Sequence, residues 1–231
     1  MKTFAIGASP QFSIARSSAR CLVNIGSVLL AIVLAGAASR AAATTITFES
    51  LAFPGSGPPN IVSGPYIESG YQFVNNITPF DFGNWGTEDL RYPGSTALFN
   101  LRQGGITTLT QQGGGEFSIV SLDLMAFYVN SPPQFVTFTG TLPDNSTVTQ
   151  TFFVPPSGNS ITETLFVFNP SFSDVKSVAF GAQDLENYQF DNVTVFAVPE
   201  VSSAWLLLFG ATTMWGLNFL RRRWASRRAT V

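Results

Sequence analysis

Carboxylates are the main chemical groups that this chain offers for catalysis, because its 231 residues include no histidine and a single cysteine, Cys21. The absence of histidine excludes Ser-His-Asp and Cys-His mechanisms and most zinc sites. Two acids facing each other across a cleft could still hydrolyse a glycosidic bond. The candidates are Asp81, Glu88, Asp89 and Glu186. Their spacing does not establish a facing pair, so we predict a protein that is not an enzyme.

A long segment without a strand pattern, "NNITPFDFGNWGTEDLRYPGS" over 75–95, concentrates aromatic side chains. Long loops on a β scaffold often carry binding sites. Trp85 and Tyr92 are therefore candidates for a ligand surface of exposed rings. The alternative is that these aromatic residues pack beneath the loop as a small additional core.

Charge divides the chain into three parts. Residues 1–43 carry four cations and no acid, and the last 33 residues, 199–231, carry five arginines and one acid. The middle, 44–198, holds three cations against thirteen acids, a net charge of −10. An acidic folded part is repelled by phosphates, so we predict no nucleic-acid partner. The basic–acidic–basic order favours a membrane topology instead.

Short runs rich in Val, Ile, Thr, Phe and Tyr, separated by Gly- and Pro-containing turns, predict about ten strands and no sustained helix between 44 and 198. We therefore expect an all-β fold, a single antiparallel β-sandwich of the jelly-roll type, over 44–197. Segments 50–65 and 75–95 are expected to be loops. The predicted strands are 44–50, 70–75, 96–101, 106–110, 116–129, 134–140, 146–154, 162–168, 175–182 and 187–198.

Threonines alternate with other residues in one of these runs. Thr147, Thr149 and Thr151 fall on one face of the strand over 146–154, a spacing that ice-binding surfaces also use. Threonine is common on exposed strand faces, so this pattern by itself predicts no ligand.

The first and last strands carry a resemblance. "ITFES" and "YQFDNVTV" are similar to the terminal strands of jelly-roll carbohydrate-binding modules. The resemblance implies that Glu49 and Asp191 jointly bind a structural calcium ion. Calcium needs several oxygen ligands at about 2.3–2.6 Å, so the two terminal strands would have to lie close together. The alternative is that both acids are solvated at strand ends.

The N-terminal 43 residues have the pattern of an export signal. A weakly basic stretch precedes the apolar run "CLVNIGSVLLAIVLAGAA", and small residues follow up to Ala43. We predict a signal peptide over 1–43 that is cleaved after Ala43, which would leave a mature start at Thr44. The alternative is an uncleaved N-terminal anchor.

The C-terminal segment has the pattern of a membrane helix. Residues 201–220 carry no charge, and a helix of that length spans about 30 Å. Arg221, Arg222 and Arg223 follow at once. Because basic residues stay on the cytoplasmic side, the acidic domain is expected outside.

This tail resembles the sorting signal of the PEP-CTERM family of bacterial surface proteins, which joins a Pro-Glu-Pro motif, an apolar helix and an arginine cluster. The matching motif residues are Val198, Pro199 and Glu200, and Val201 stands where the third motif position is proline. The resemblance covers about 30 residues, here 198–231. It implies processing by an exosortase, with an inner-membrane precursor that moves to the cell surface or the extracellular matrix.

Two function classes stay open from the sequence. One is an adhesive or exopolysaccharide-binding module that uses exposed rings such as Trp85 and Tyr92. The other is a structural surface protein with no small ligand. A carboxylate-dependent enzyme acting on glycans is the weaker third alternative.

Overall fold

A computed structural model describes residues 42–77, 82–182 and 187–198 of the chain. The signal peptide predicted over 1–43 lies outside these ranges except for its last two residues. The C-terminal helix predicted over 201–220 and the basic tail lie wholly outside them. Within the described ranges, we find no helix with the length and apolar character needed to cross a membrane.

Thirteen strands and two 3-10 turns make up the described part of the chain. In chain order they are β1 (Ala43–Ile46), a 3-10 turn (Glu49–Leu51), β2 (Asn60–Val62), β3 (Tyr66–Glu68), β4 (Tyr71–Asn75), β5 (Phe82–Asn84), β6 (Leu98–Asn100), β7 (Thr107–Gln111), β8 (Phe117–Ala126), β9 (Gln134–Thr141), β10 (Thr147–Val154), β11 (Thr164–Val167), a second 3-10 turn (Pro170–Phe172), β12 (Ser177–Ala182) and β13 (Tyr188–Ala197).

Each of the ten predicted strands has a counterpart, but three strands were not predicted. β2 and β5 lie in segments expected to be loops, and β3 follows directly after one of them. Each of the three contains only three residues, too few to show a period-2 pattern. Their pairing with a neighbouring strand, such as β2 with β5, is a tertiary contact rather than a local signal.

The strands form two sheets, and every strand pair is antiparallel. The seven-stranded sheet has the order β11-β8-β13-β6-β5-β2, with β1 also paired to β13. The six-stranded sheet has the order β10-β9-β12-β7-β4-β3. The two sheets enclose one main hydrophobic core, so the predicted jelly-roll sandwich is confirmed.

Phenylalanine rings fill the space between the sheets. Phe190 of β13 is fully buried and makes edge-to-face contacts with Phe48 and Phe180, whose ring centroids lie 5.6 Å and 5.2 Å away. It also stacks near Phe73 of β4 at 6.0 Å. Aromatic pairs at such distances add about 0.5–1.5 kcal/mol each beyond area burial, which suits a domain without disulfides.

A buried polar network joins the two sheets at one end of this core. Asn75 of β4 donates to the side-chain oxygen of Asn100 on β6 at 2.7 Å, and Thr107 of β7 donates to the same oxygen at 2.9 Å. The amide of Asn100 in turn donates to the carbonyl of Gly105 at 2.7 Å. Because buried polar groups must be paired, this network fixes how the two sheets meet.

Candidate functional site

The outer face of the six-stranded sheet carries a regular array of hydroxyl groups, which we call the threonine face. Along β9 and β10, buried residues such as Val136, Phe138 and Phe152 alternate with residues that point away from the core. The array consists of Thr137, Thr139 and Thr141 on β9, Thr147, Thr149 and Thr151 on β10, and Thr108 and Thr110 on β7.

Strand register aligns these threonines in rows across the sheet. Thr149 lies opposite Thr139, which lies opposite Ala179 of β12, and Ala179 lies opposite Thr108 of β7. A parallel row runs from Thr147 and Thr141 through Ser177 to Thr110. Directly opposed residues share a sheet face, so the rows form one continuous surface. None of these positions carries a charge.

Two exposed phenylalanines extend the threonine face near the far end of β10. Phe135 and Phe153 lie directly opposite each other, with ring centroids 5.2 Å apart, and are 43% and 48% exposed. Beside them, the hydroxyls of Thr137 and Thr151 are joined by a hydrogen bond of 2.9 Å. Apolar rings next to hydroxyl groups on an uncharged surface are suited to a ligand with apolar and hydroxyl-bearing faces.

The expectation that Trp85 is an exposed ligand-binding ring is wrong. Its side chain is only 4% exposed, and it stacks on Phe99 with ring centroids 4.8 Å apart. The guanidinium carbon of Arg91 lies 3.4 Å from the centroid of the same ring. Trp85 therefore forms a second small core with Phe99 and Phe127 on the outer side of the seven-stranded sheet. The alternative stated from the sequence, a small additional core beneath the loop, is thus confirmed for Trp85; the sequence could not decide between the two because Phe99 and Phe127 come from other parts of the chain.

Arg91 also determines the state of one candidate catalytic acid. Its Nε atom lies 2.7 Å from Asp89, and the hydrogen bond from Arg91 lowers the pKa of Asp89 below its usual value. A carboxyl held ionised in this way is unsuited to act as a general acid. Glu88 is exposed at the same loop, and Asp81 and Glu186 lie outside the described residues.

The acids expected to share a calcium ion, Glu49 and Asp191, are linked through two adjacent residues. Glu49 accepts hydrogen bonds from the backbone N–H of Thr96 at 2.9 Å and from its hydroxyl at 3.0 Å. Asp191 accepts a short hydrogen bond from the hydroxyl of Ser95. The same hydroxyl lies 2.6 Å from Glu163, which precedes β11. The structure thus places Glu49, Asp191 and Glu163 around one dipeptide.

Local backbone geometry explains how Glu49 reaches this cluster. Phe48 has a positive φ of 55° and is fully buried, so the chain turns sharply after β1 and directs Glu49 to the exterior. Glu68 of β3 holds this turn, because its carboxylate accepts the N–H groups of Thr47 and Phe48, each at 3.2 Å. Asp191 arrives from the opposite end of the chain on β13.

Burial is the main cause of an altered pKa at Asp191. Desolvation raises the pKa of this fully buried carboxyl to about 7, while hydrogen bonds from Ser95 and Asn192 lower it. The negative charges of Glu163 and Glu49 raise it further. One hydroxyl proton of Ser95 cannot satisfy two ionised carboxylates at once. The cluster therefore favours an added positive charge, which a proton or a cation can supply.

Tyr92 lies beside the same cluster. It is half-buried, and burial followed by the charge of Glu49 raises the pKa of its hydroxyl. Its ring also packs against the second core that contains Trp85. Tyr92 is thus placed between the aromatic loop and the acids.

The side-chain atoms of this cluster that could ligate a cation are all oxygen, which suits a hard cation such as calcium. Among the residues that the structure describes, however, no group of three or more Asp, Glu, His or Cys side chains is arranged to hold a metal ion. A calcium ion at Glu49 and Asp191 would need further oxygen ligands from hydroxyls, carbonyls or water. Calcium binding stays a prediction.

The predicted sorting motif begins where the described domain ends. The N–H of Val198 donates to the carbonyl of Glu116 at 3.0 Å, immediately after β13. Pro199, Glu200 and the arginines 221–223 lie outside the described residues. At the other end, Ala43, expected to be the last residue of the signal peptide, pairs with Phe196 as the first residue of β1.

Several residues of these two surfaces were not identified from the sequence. Ser95, Thr96 and Glu163 show no motif, because tertiary folding alone brings them to Asp191. The pairing of Phe135 with Phe153 did have a signal. The turn "LPDNS" between two runs of alternating residues predicts a hairpin centred near Asp144, and that register sets the two rings opposite each other.

Comparisons with known proteins give distant structural similarity to carbohydrate-binding domains. No family model matches the chain, and no curated protein matches it. Among solved structures, the chain is similar to the CBM22-1 xylan-binding domain of Xyn10C from Paenibacillus barcinonensis (TM-score 0.39, 12% identity, 71% of this chain and 99% of that chain). It is also similar to a variant of CBM29-2, a family 29 carbohydrate binding module (TM-score 0.36, 16% identity, 68% of this chain and 93% of that chain).

Proposed function

We propose that residues 42–198 form a non-catalytic module that binds a neutral polysaccharide at the threonine face. The observation that carries this proposal is an uncharged outer sheet surface on which rows of threonine hydroxyls lie beside the exposed pair Phe135 and Phe153. Sugar rings present both C–H faces and hydroxyl edges. The phenyl rings can contact the former, and the threonine hydroxyls can both donate to and accept from the latter.

The charge of the domain favours a neutral polymer over an anionic one. Residues 44–198 carry a net charge of −10, which repels polyanions over the Debye length of about 8 Å at physiological ionic strength. The threonine face itself adds no cation that could offset this repulsion. A neutral component of an exopolysaccharide matrix is the ligand class that fits both features.

Co-sedimentation with insoluble polysaccharide tests this proposal. The full chain in a nonionic detergent is mixed with cellulose or mannan, and with an alginate gel as the anionic comparison. We expect retention on a neutral polymer and at least a tenfold weaker apparent affinity after Phe135→Ala or Phe153→Ala. Phe196→Ala is the matched control, because Phe196 is 38% exposed but lies on the other sheet.

Two results would contradict the proposal. One is retention that Phe196→Ala weakens as strongly as Phe153→Ala does, because the threonine face would then have no special role. The other is no retention on any neutral polymer by a chain that shows the melting transition of the folded domain. The second result would favour a structural surface protein without a small ligand.

We also propose that the chain is exported and sorted at its C-terminus by an exosortase. The support is the apolar run and small residues before Ala43, the uncharged helix predicted over 201–220, and Pro199 and Glu200 just before it. Glu200→Ala should leave membrane insertion intact but retain the protein in the inner membrane. A C-terminal tag detected by fractionation reports the outcome. A tag that persists on the mature surface protein, in cells with an exosortase, would show a permanent anchor instead.

A further inference from the structure

One edge of the sandwich differs from the others. β10 is the last strand of the six-stranded sheet and contains eight residues, Thr147–Val154. The strands at the other sheet ends, β3, β2 and β11, contain three, three and four residues. A long edge strand presents a row of backbone donors and acceptors to which another strand can be added.

β10 lacks the features that usually protect such an edge. Its sequence, TVTQTFFV, contains no charge and no proline. Its register with β9 runs without a bulge from the pair Thr147–Thr141 to the pair Val154–Gln134. Proteins usually protect an edge with short strands, charges, prolines or bulges, and β10 shows none of these.

The free backbone groups of β10 can be assigned from the hairpin that precedes it. The N–H of Leu142 donates to the carbonyl of Ser146 at 2.9 Å, so this pair is hydrogen-bonded. Hydrogen-bonded pairs alternate along an antiparallel ladder, so Val148, Gln150 and Phe152 bond to β9. The N–H and C=O groups of Thr149 and Thr151 therefore point away from the sheet, as do those of Thr147 and Phe153.

We propose that β10 pairs with β10 of a second copy of this chain, antiparallel and about a twofold axis at Gln150. This register sets Thr147 opposite Phe153 of the other copy and Thr149 opposite its Thr151. All outward-pointing backbone groups then face each other, giving about eight new hydrogen bonds. Shifting the register by two residues in one direction would pair Pro155, which has no N–H to donate, with Thr147 of the other copy. A shift in the other direction would pair Asn145, whose φ of 66° does not suit a strand.

The even spacing of the outward backbone groups about Gln150 is the reason to assign the edge to a second copy of this chain, because two copies then satisfy each other's groups completely, and the absence of charge on β10 permits their approach. Two domains that each carry a net charge of −10 repel each other, and they can approach most closely where neither presents a charge. β10 is such a place. The nearest acid in sequence, Asp144, lies in the turn before Thr147, and the antiparallel arrangement places the two Asp144 turns at opposite ends of the paired strands.

Pairing of two β10 strands uses up the free edge of both copies and extends the threonine face. The same strand serves both copies, so the interface is isologous and yields a dimer rather than a filament. Odd-numbered residues of both strands lie on the same face in this register. The threonine rows of one copy therefore continue into those of the other, which doubles the length of the face. The pairing itself rests on the sheet edge and does not depend on the proposed polysaccharide binding.

Site-specific cross-linking tests the register directly. In the full chain with Cys21→Ser, Gln150→Cys places two thiols at the twofold axis in a non-hydrogen-bonded pair, where Cα atoms are about 4.5 Å apart. That distance is compatible with a disulfide. Thr147→Cys is the control, because position 147 lies opposite 153 of the other copy, so its two thiols are separated by about six residues, or about 20 Å.

We expect mild oxidation in nonionic detergent to yield a covalent dimer with Gln150→Cys and at least tenfold less with Thr147→Cys. Equal cross-linking of both variants, or none with either, would overturn the proposal. Gln150 also accepts from the N–H of Asn169 at 2.9 Å, so folding of the variant is checked by its melting transition.

A second measurement does not depend on introduced thiols. Thr149→Pro removes one outward N–H without removing a bond to β9, so the domain should fold and the dimer dissociation constant should rise at least tenfold. Thr149→Val keeps the backbone group and is the control. Sedimentation of the unmodified full chain as a monomer up to its solubility limit would refute the pairing, and so would a dimer that both variants leave unchanged. A dimer that Thr149→Pro weakens but that Gln150→Cys does not cross-link would overturn the proposed twofold axis at Gln150.

Discussion

Raising the pH from 4 to 7 in the presence of a chelator should destabilise the folded domain, and Asp191 should account for the change. The buried carboxyl has a pKa of about 7 in the fold against 3.8 in its ordinary environment. A raised folded pKa means that the folded state holds the proton more tightly than the unfolded chain does. The stability from this group is therefore complete below pH 4, declines as the pH rises, and is lost above pH 7.

The size of the effect follows from the same shift. Each pKa unit corresponds to about 1.36 kcal/mol, so a difference of about three units gives about 4 kcal/mol as an upper bound. For a domain of this size, 1 kcal/mol changes the melting temperature by about 2–4 °C. We thus expect the melting temperature to fall by about 10 °C between pH 4 and pH 7. Differential scanning calorimetry of the full chain in nonionic detergent measures it.

Asp191→Asn isolates this contribution, because the substituted amide cannot ionise. The variant should lose the decline between pH 4 and 7. Asp144→Asn is the matched control, since Asp144 is exposed and hydrogen bonds from Ser146 lower its pKa, so its titration affects stability only at lower pH. A midpoint that rises with pH in chelator, or an Asp191→Asn variant with an unchanged pH profile, would refute the assignment.

Calcium should reverse this behaviour if it binds at Glu49 and Asp191. The ion takes the place of the proton and binds the ionised carboxylates, so it should stabilise the domain most at pH 8. At a free calcium concentration one hundred times the dissociation constant, the free energy of unfolding should rise by about 2.7 kcal/mol. Asp191→Asn should abolish this response. An unchanged midpoint of the unsubstituted chain in calcium and in chelator would exclude the calcium site while leaving the pH prediction intact.

Other predictions concern packing and the buried polar network. Trp85→Ala should cost about 3–5 kcal/mol in unfolding free energy, measured by chemical denaturation, because it empties the second core. Phe196→Ala, the exposed control, should cost under about 1 kcal/mol. Equal losses for the two variants would contradict the burial of Trp85. Asn100→Ala should cost about 2–4 kcal/mol in unfolding free energy because it removes the buried acceptor that Asn75 and Thr107 share. A change below about 0.5 kcal/mol by the same measurement would show that the network adds no stability.

Local sequence signals were sufficient for the longer strands and for the fold class. Alternation over runs such as 134–140 and 146–154, with "LPDNS" between them, predicts a hairpin because side chains in a strand repeat every two residues and the turn residues fix the register. The absence of helical periodicity and the regular turn spacing then indicate a sandwich. The three-residue strands β2, β3 and β5 carry no such signal, because a segment that short cannot display a period.

Exposure of individual side chains was not determined locally. Trp85 lies in a polar, glycine-containing loop, and nothing in that segment shows that Phe99 and Arg91 will cover its two faces. Phe135 and Phe153 occur in equally apolar strands, yet they face solvent. Which face of a strand is buried depends on the sheet that packs against it, and that partner comes from elsewhere in the chain.

The acidic cluster shows the same division between local and tertiary information. The sequence marked Glu49 and Asp191 through a resemblance of their strands, but it could not provide Ser95, Thr96 and Glu163. These residues meet only because β13 lies between β8 and β6 in the seven-stranded sheet, which brings both ends of the described domain and two loops to one place. Composition alone determined the acidity and the lack of histidine chemistry of this protein, and the order of residues at its ends predicts export. Its threonine face, its buried acid and its long edge strand arose from the pairing of distant strands, because burial and desolvation are properties of the packed chain.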